Sequence, residues 1–384
     1  MNPPKTIYFD YNATTPLDPR VREAMLPFLG EVYGNPSSVH HVGRRARSLL
    51  DDARDRVARI WKSKPSEVVF TSGGTESNNL AVFGAARLLR DKGRHLITSR
   101  VEHHAVLNCF EYLEKKEGFA VSYLPVNAEG LVSPEDLAAA IRPETILVSI
   151  MAANNEIGSV QPVAELGAVC RSRGVVFHTD AVQWFGKEPF ETIHQFNADL
   201  VSLCSHKFHG PKGAGALFVR SPLHPDPVLF GGGHENERRA GTENLAAIMG
   251  LTEALARFVN PPVFPAAFLR PLTTRLLDFL SLLEGVQCRG SSSRRLANTV
   301  AFTVSGCDSI SLLAGLDLLG ICASGGAACS AGSLTPSHVL LALGVEDRLA
   351  NSLIRFSLGR ASTVEEVGVV EGALKDVIKQ ARCL

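Results

Sequence analysis

The segment Glu67-Val-Val-Phe-Thr-Ser-Gly-Gly-Thr-Glu-Ser77 sets the fold class of this chain. Its first half is a β-branched and aromatic run, which predicts a short strand, and its second half contains a tight glycine turn. A stretch of helical character continues from that turn to about Arg90. A strand, a tight turn and a helix in this order form the repeating unit of layered α/β domains.

Similar apolar runs, each ending in a polar turn, recur through the centre of the chain. They lie at His95–Ser99, Ala120–Leu124, Ile146–Ile150, Val175–His178, Leu200–Cys204 and Gly215–Val219. Several are separated by segments long enough for a helix, so we predict an α/β domain with a largely parallel sheet. Upstream of them, apolar residues recur at helical spacing from Arg44 to Lys62, which predicts an amphipathic surface helix.

A break in composition at Asn260-Pro-Pro-Val-Phe-Pro265 predicts a domain boundary. Proline removes a backbone donor and stops a helix, so three prolines in six residues interrupt regular structure. Beyond the break lie a helical run at Leu272–Leu283 and a strand candidate at Asn298–Val304. A last helix opens with the capping-box pattern of Ser362-Thr-Val-Glu-Glu366. These elements predict a second, smaller α+β domain.

The composition excludes several classes of protein. The chain has 384 residues, 45% of them apolar, and its 39 basic side chains balance 39 acidic ones. No net field is available to attract nucleic acid or a membrane surface, and no apolar stretch reaches the length of about 18 residues that spans a bilayer. The N-terminus lacks the pattern of a signal peptide, so we expect a soluble cytoplasmic protein without direct nucleic-acid or membrane contacts.

The cysteines and histidines do not form a recognisable metal or disulfide pattern. The eight cysteines include no Cys-x-x-Cys pair, and the twelve histidines include no His-Glu-x-x-His motif. We therefore predict neither a disulfide scaffold nor a structural metal site.

The turn Thr71-Ser-Gly-Gly-Thr-Glu-Ser77 is a candidate anion site. Backbone N–H groups and the Thr75 hydroxyl would converge there at the start of a helix, where the helix dipole favours negative charge. A phosphate and a simple helix cap without a ligand explain the segment equally well. It is not a nucleotide-binding Walker loop, because no Gly-Lys-Ser/Thr follows the turn.

Two further residues fall at predicted strand ends. Asp180 follows the run at 175–178, at the end of a sheet where ligands bind, and its carboxylate could keep a ring nitrogen protonated. Lys207 ends Leu200-Val-Ser-Leu-Cys-Ser-His-Lys207, and a desolvated amine there could bond to a carbonyl cofactor. Alone, the aspartate is more often a cap and the lysine a surface charge. A phosphate cup, a carboxylate and an amine together are what a protein supplies to pyridoxal phosphate.

With these residues in view, the chain resembles the pyridoxal-phosphate cysteine desulfurases of the NifS/IscS type, within the class V aminotransferase group. The resemblance extends from Tyr8-Phe-Asp-Tyr-Asn-Ala-Thr-Thr-Pro16 to Arg355-Phe-Ser-Leu-Gly-Arg360. It implies the aspartate aminotransferase-like fold of pyridoxal-phosphate transferases. Residues 15–260 would form the large cofactor-binding domain, and residues 1–14 and 261–384 the small domain carrying a mobile cysteine loop.

The resemblance also implies roles around the cofactor. Lys207 would carry the cofactor, Asp180 would pair with its ring nitrogen and Gln183 would donate to its ring hydroxyl. In Glu102-His-His-Ala-Val106, His103 rather than His104 matches the histidine that stacks on the ring and can act as acid or base. The implied cofactor-binding set is Gly74, Thr75, His103, Asn155, Asp180, Gln183, Ser205, His206, Lys207 and Thr242. Thr242 would reach the phosphate of a neighbouring subunit, which implies a homodimer.

For the substrate carboxylate, the resemblance implies Arg355 and Asn35. A guanidinium offers a planar pair of donors to a carboxylate, although Arg355 taken alone would be read as a surface ion-pair residue. The implied catalytic set is Cys329, Lys207 and His103. Cys329 stands in Ala-Ser-Gly-Gly-Ala-Ala-Cys-Ser-Ala-Gly-Ser, residues 323–333, which we expect to be mobile because its other side chains are small. No metal is expected beyond a transient iron–sulfur contact at Cys329.

The implied reaction converts L-cysteine to L-alanine and leaves the sulfur on Cys329 as a persulfide. An acceptor protein, such as an iron–sulfur scaffold, would then collect it for cluster assembly or for another thio-cofactor or nucleic-acid modification. A selenocysteine lyase or another pyridoxal-phosphate lyase of the same fold is the alternative. A non-enzymatic sulfur-trafficking scaffold is disfavoured, because every catalytic position that could be matched is filled.

Overall fold

The structure is a computed structural model that describes residues 6–326 and 335–382. Its strands are β1 (Ile7–Tyr8), β2 (Val68–Thr71), β3 (His95–Ser99), β4 (Ala120–Leu124), β5 (Thr145–Ser149), β6 (Val176–Asp180), β7 (Leu200–Cys204), β8 (Gly215–Val219), β9 (Val286–Arg289), β10 (Thr299–Val304), β11 (Ile321–Cys322) and β12 (Ile354–Ser357). Its α-helices are α1 (Pro19–Met25), α2 (His41–Trp61), α3 (Gly74–Leu89), α4 (His104–Glu117), α5 (Pro134–Ala140), α6 (Val163–Ser172), α7 (Leu245–Phe258), α8 (Ala266–Ser281), α9 (Ser309–Leu318), α10 (His338–Ala342), α11 (Asp347–Ala350) and α12 (Val364–Ala381).

Seven strands form the largest sheet, in the order β2-β8-β7-β6-β5-β3-β4. The strands from β7 to β4 run parallel to their neighbours, and β8 is antiparallel to both β2 and β7. Six of the seven strands therefore share one direction, which confirms the largely parallel sheet predicted from the apolar runs. The carboxyl ends of β5, β6 and β7 consequently meet at one end of the sheet.

Helices cover both faces of this sheet. Along β2, Val69 belongs to the buried core shared with α3 and α4, whereas Val68 and Phe70 belong to the core on the other face, with α2 and α7. This alternation follows from the two-residue period of a strand, and it makes every strand residue of β2 buried. The parallel strands read as continuous apolar runs for the same reason.

Helix α2 confirms the predicted amphipathic helix and begins slightly earlier than expected. The His40 ring accepts a hydrogen bond from the Gly43 N–H, which caps a helix starting at His41. The buried stripe includes Ala46, Leu50, Ala53, Val57 and Trp61. The helix ends where Lys62 takes a left-handed conformation, at φ 56°.

A separate core joins the two ends of the chain. Strand β10 pairs with β9 and β12, and β1 pairs in parallel with β11. Phe9 lies between them, because its N–H donates to Cys322 O and its carbonyl accepts from Ser357 N. Helices α8, α9 and α12 complete this core, and α12 opens with the predicted capping box, formed by Thr363 and Glu366. The exact domain limits, 15–260 against 1–14 with 261–384, stay a prediction.

Across the described ranges, no helix combines the length and apolar character needed to cross a bilayer.

Candidate active site

A cavity of about 280 Å³ lies at the carboxyl ends of β5, β6 and β7. One side is formed by residues that follow the sheet strands and by the start of α3. The opposite side is formed by Asn12, Ala13 and Arg355, from the core that joins the chain ends. The predicted site residues that line it are Gly74, Thr75, His103, Asn155, Asp180, Gln183, His206, Lys207 and Arg355.

Asp180 is the last residue of β6 and is 5% exposed. Its Oδ2 accepts from the Asn78 amide at 2.7 Å, and its Oδ1 accepts from the Val182 N–H at 2.9 Å. No cationic side chain of the described residues lies within ion-pair distance of this carboxylate. The two hydrogen bonds therefore hold the carboxylate in place while leaving its charge available to a cationic group in the cavity.

Lys207 ends the short helical turn that follows β7. Its Nζ donates to the Asn12 and Ala13 carbonyls, both at 2.7 Å. Burial lowers the pKa of this amine, and nearby Arg355 acts in the same direction. A lowered pKa increases the neutral fraction of the amine, which is the form that can react with a carbonyl carbon or accept a proton.

The start of α3 supplies the anion end of the cavity. Its N-cap, Gly73, has no side chain, so the first turn of the helix receives no side-chain cap. Gly74 packs against Val182, where an added Cβ would come within 2.7 Å of the Val182 methyl carbon. His206 lines the same cavity, and burial lowers the pKa of its ring to about 4. The ring is therefore neutral near pH 7.

Two residues of the implied cofactor-binding set, Ser205 and Thr242, do not line this cavity. The Ser205 hydroxyl is buried and contacts the carbonyls of Pro211 and Ala214, the latter at 3.1 Å. Thr242 lines a separate cavity of about 180 Å³, together with Ser72 and Arg239. The roles expected for both residues stay predictions.

His103, not His104, lines the cavity. It caps α4, and its Nδ1 accepts from the Ala105 N–H at 3.0 Å, so the neutral ring carries its proton on Nε2. Burial lowers the pKa of His103, so the ring is neutral at neutral pH and its Nε2–H is a donor. His104 instead packs its ring on His338, with centroids 4.7 Å apart.

Arg355 lies in β12 and is 1% exposed. Its Nη2 donates to Asp10 Oδ1 at 2.6 Å, and its Nη1 donates to the Asn155 carbonyl at 2.7 Å. Its Nε has no partner among the described residues, although it is buried. A guanidinium that lines a cavity with an unused donor is suited to a carboxylate. Asn154, which precedes Asn155 in the chain, has a structural role, because its side chain forms hydrogen bonds with three backbone groups.

The structure does not bring Asn35 into the cavity. Its side chain is exposed and accepts from the Ser37 N–H at 2.8 Å, as in an Asx turn. Cys329 lies outside the described residues, so its role stays a prediction. Within the described ranges, no group of three His, Cys, Asp or Glu side chains is arranged to hold a metal ion.

Sequence reasoning missed Asn12, which connects the two sides of the cavity. Its carbonyl accepts from Lys207 and Gln183, and its side-chain oxygen accepts from Lys187 at 2.8 Å and from Asn298 at 3.0 Å. The residue belongs to the Tyr8–Pro16 motif, but a sequence motif does not show which distant residues its amide meets.

Three other residues in or beside the cavity were also missed. Asn78 stands one helical turn after Thr75 in α3, and this spacing could have indicated a shared face. Cys204 lines the cavity, and burial raises the pKa of its thiol to about 11, so it stays protonated at neutral pH. Lys187 is 2% exposed and had no signal in the sequence, because a lysine four residues after a glutamine is an ordinary pattern.

Comparison with known families decides the assignment. The family described as aminotransferase class V matches residues 7–370. The chain belongs to this family. Pyridoxal 5'-phosphate is therefore its cofactor, and the aspartate aminotransferase-like fold expected from the resemblance is confirmed.

Individual relatives show which proteins of the class V family this chain resembles. A cysteine desulfurase IscS of Dictyoglomus turgidum is 44% identical over 383 residues, covering 99% of this chain and 96% of that protein. A solved NifS-like protein has a TM-score of 0.89 at 36% identity, with 99% of this chain and 100% of the other covered. The solved structure of SspA in complex with cysteine has a TM-score of 0.80 at 37% identity, with 93% and 100% covered. These matches confirm the resemblance to NifS/IscS-type cysteine desulfurases.

Proposed function

We propose that this protein is a pyridoxal-phosphate cysteine desulfurase that converts L-cysteine to L-alanine and passes the sulfur, through Cys329, to an acceptor protein. The observation that carries the proposal is the convergence of the Lys207 amine, the Asp180 carboxylate and the Arg355 guanidinium on one cavity. Family membership and the IscS relatives support the same activity. The cysteine bound to a structural relative supports the substrate.

The residues of the cavity fit the cofactor. Asp180, held by two N–H donors and without a cationic partner among the described residues, would keep the ring nitrogen protonated. Gln183 would donate to the ring hydroxyl, His103 would contact the ring and Asn155 would face the hydroxyl. The phosphate set would be Gly74, Thr75, Ser205 and His206, with Thr242 reaching it from the partner of a homodimer. When bound, pyridoxal phosphate supplies an electron sink for bonds at the substrate α-carbon.

Lys207 and His103 are the groups that would hold and move protons. Burial lowers the pKa of both, so near pH 7 the histidine is neutral and the neutral fraction of the lysine is increased. Lys207 would carry the cofactor covalently and, once released, accept the proton from the substrate α-carbon. His103, with its proton on Nε2, would exchange protons at the cavity face of its ring.

Arg355 would hold the substrate carboxylate, with Asn35 as its companion. The Nε of Arg355 has no partner among the described residues, and a planar guanidinium presents the paired donors that a carboxylate takes. Asn35 is exposed and outside the cavity of the single chain. Its expected role therefore requires a movement of its loop or the approach of a second subunit.

Cys329 would attack the substrate sulfur as a thiolate. A new S–S bond forms while the substrate C–S bond breaks, and its electron pair stays with the carbon, which gains a proton and leaves as alanine. The Cys329 sulfur is thereby oxidised to a persulfide, and an acceptor thiol later takes the terminal sulfur. Burial raises the pKa of the Cys204 thiol to about 11, so little thiolate is available there at neutral pH.

The remaining parts of the proposal concern partners and location. We propose a homodimer in the cytoplasm that delivers sulfur to an acceptor such as an iron–sulfur scaffold. The bacterial and archaeal IscS relatives support this setting. Mitochondrial cysteine desulfurases among the relatives show that related proteins also act in an organelle.

A single-turnover assay with L-cysteine tests the proposal. The holoenzyme is mixed with one equivalent of L-cysteine, and alanine and the persulfide on each cysteine are quantified by mass spectrometry. We expect one alanine per active site and a persulfide on Cys329 that Cys329→Ala abolishes. Cys204→Ala is the matched control, because it removes a thiol that lines the cavity and should leave both products.

Two outcomes would contradict the proposal. Alanine from selenocysteine but not from cysteine would indicate a selenocysteine lyase. A persulfide that persists in Cys329→Ala and disappears in Cys204→Ala would show that the buried Cys204 thiol takes the sulfur from the substrate.

A further inference from the structure

Lys187 is a buried amine for which the proposed reaction has no use. It follows the Gln183 turn and is 2% exposed. Its Nζ donates to Asn12 Oδ1 at 2.8 Å and makes a short contact with Gln183 Oε1. No acidic side chain of the described residues forms an ion pair with it. Both partners are therefore uncharged amide oxygens, which is unusual for a lysine removed from water.

The two contacts determine how both amides are oriented. The Lys187 amine donates to an oxygen of each amide, Asn12 Oδ1 and Gln183 Oε1. Gln183 Oε1 is turned to Lys187, and Gln183 Nε2 is therefore turned away, donating to the Asn12 carbonyl at 3.0 Å. In Asn12 the same constraint directs Nδ2 to Thr299 Oγ1 at 2.9 Å.

Reversing the Gln183 amide would be costly. Its oxygen would then face the Asn12 carbonyl, so an acceptor would meet an acceptor, and the Lys187 amine would lose the oxygen to which it donates. The Asn12 carbonyl also accepts from Lys207 Nζ at 2.7 Å. Lys187, Gln183, Asn12 and Lys207 therefore form one connected network beside the cavity.

Burial also lowers the pKa of Lys187 well below its ordinary value, and the nearby Lys207 adds to the effect. The neutral amine has two N–H groups, which match the two amide oxygens that it contacts. The two oxygens thus accept from the amine in either of its protonation states.

We propose that Lys187 is a positioning residue that keeps the Gln183 amide oriented with Nε2 as the donor available to the ring hydroxyl of the cofactor. This inference rests on the proposed function, because it assigns Gln183 to that hydroxyl. Lys187 acts through Gln183 and does not itself line the cavity.

The test is a pH titration of the visible absorption band of the reconstituted holoenzyme. A donor to the ring oxygen stabilises its anionic form, so loss of the donor raises the apparent pKa of the band. We expect Lys187→Met to raise the midpoint by roughly one pH unit. Lys379→Met, on the exposed side of α12, is the matched control and should leave it unchanged.

The other charged and titratable groups in or beside the cavity are not substituted in these variants. These groups are Asp10, His103, Asp180, Glu188, Cys204, His206, Lys207 and Arg355. Besides burial, which has the larger effect, Lys187 acts to lower the pKa of both His206 and Glu188, so its removal changes their charge balance as well. Only a shift that is absent when Lys187→Met is added to Gln183→Leu therefore reports the Lys187–Gln183 contact.

A double substitution distinguishes action through Gln183 from a general effect of burial. Gln183→Leu alone should raise the midpoint by a similar amount, and adding Lys187→Met to it should produce no further shift. Comparing Gln183→Leu with the double variant still tests the inference if Lys187→Met alone does not fold. In the double variant, the Gln183 amide that would lack a donor is absent. Thermal unfolding of each apoenzyme establishes that it is folded.

Three results would overturn the inference. An unchanged midpoint in Lys187→Met would show that the lysine does not orient Gln183. A further shift in the double variant would show that it acts by another route. A band that is unaffected by Gln183→Leu would remove Gln183 from the ring hydroxyl. Absence of any visible band in the unsubstituted protein would instead contradict the proposed function.

Discussion

The two walls of the cavity are built in different ways. The sheet wall, defined by Thr75, Asp180 and Lys207, takes its groups from positions at or just beyond the ends of strands. The terminal wall, defined by Asn12 and Arg355 with Asp10 as partner of the guanidinium, is held by contacts between distant parts of the chain. Asp10 and Arg355 are separated by 345 residues, and Asn12 and Asn298 by 286.

The difference indicates how each wall would respond to substitution. Groups on the sheet wall are positioned by strands that are buried on both faces, so a substitution there should change chemistry more than structure. On the terminal wall, Arg355 also lies in a strand, β12, but its guanidinium is oriented by Asp10 and the Asn155 carbonyl. Substitutions there should change substrate affinity, because they alter the docking of the two chain ends.

The largest effect is expected for Asp180→Asn on the sheet wall. The variant keeps the size of the side chain but removes the charge that would hold the ring nitrogen protonated. We expect alanine formation from L-cysteine to slow by roughly 1000-fold. Asn78→Ala, which removes one donor to Asp180 and leaves the Val182 N–H, should slow it by no more than about tenfold. Equal rates for Asp180→Asn and the unsubstituted enzyme would show that the Asp180 charge does not contribute to the reaction.

On the terminal wall, Arg355→Lys should act mainly on KM. A lysine retains the charge but lacks the planar pair of donors, and Asp10 would compete for its amine. We expect KM for L-cysteine to rise by roughly 100-fold, with a much smaller change in kcat. Arg360→Lys is the control, because Arg360 also pairs with an aspartate, Asp18, but does not line the cavity. A loss confined to kcat would show that Arg355 serves the chemical step.

Glu102, which immediately precedes His103, has a buried carboxyl whose ionisation should affect the free energy of unfolding. Its Oε1 accepts from Ser99 and from the Met151 N–H, while its Oε2 has no partner among the described residues. Burial raises its pKa from 4.5 to about 8. The stabilising contribution of the protonated carboxyl is therefore complete below pH 4.5 and is lost as the pH rises through 8.

Glu102→Gln should remove this pH dependence. We expect the free energy of unfolding to increase by roughly 2 kcal/mol at pH 8 and to change little at pH 4. Denaturant unfolding at both pH values measures the difference, and Glu31→Gln, at an exposed position, serves as the control. A destabilised variant at pH 8 would mean that Glu102 is ionised and paired in the folded protein.

The smallest effect should come from Asp10, whose two substitutions are expected to act in opposite directions. Asp10→Asn keeps an oxygen for Arg355 Nη2 but removes the charge that competes with the substrate carboxylate. We expect KM for L-cysteine to fall by roughly threefold. Asp10→Ala also removes the oxygen that orients the guanidinium, and KM should rise. A fall in both variants would show that orientation by Asp10 is unimportant.

The local parts of the molecule could be predicted from the sequence. The runs at His95–Ser99 and Leu200–Cys204 became strands β3 and β7, because apolar side chains at these positions are buried between two layers of helices. Asp180 and Lys207 could be identified as cavity residues because each stands at or just beyond the end of a predicted strand of this sheet. A parallel sheet brings the ends of its strands together, so residues following different strands meet without further information.

Only the tertiary structure revealed the contacts of Asn12 and Lys187, and the absence of Asn35 from the cavity. The orientation of a side-chain amide depends on which donors and acceptors surround it, and in Asn12 these come from positions 155, 187, 298 and 299. Hydrophobic periodicity carries no information about such pairings. The sequence by itself thus determined the sheet, its helices and the chemical groups at its strand ends. The folded chain decided which distant polar atoms complete the site, because buried polar groups must find partners wherever packing brings them.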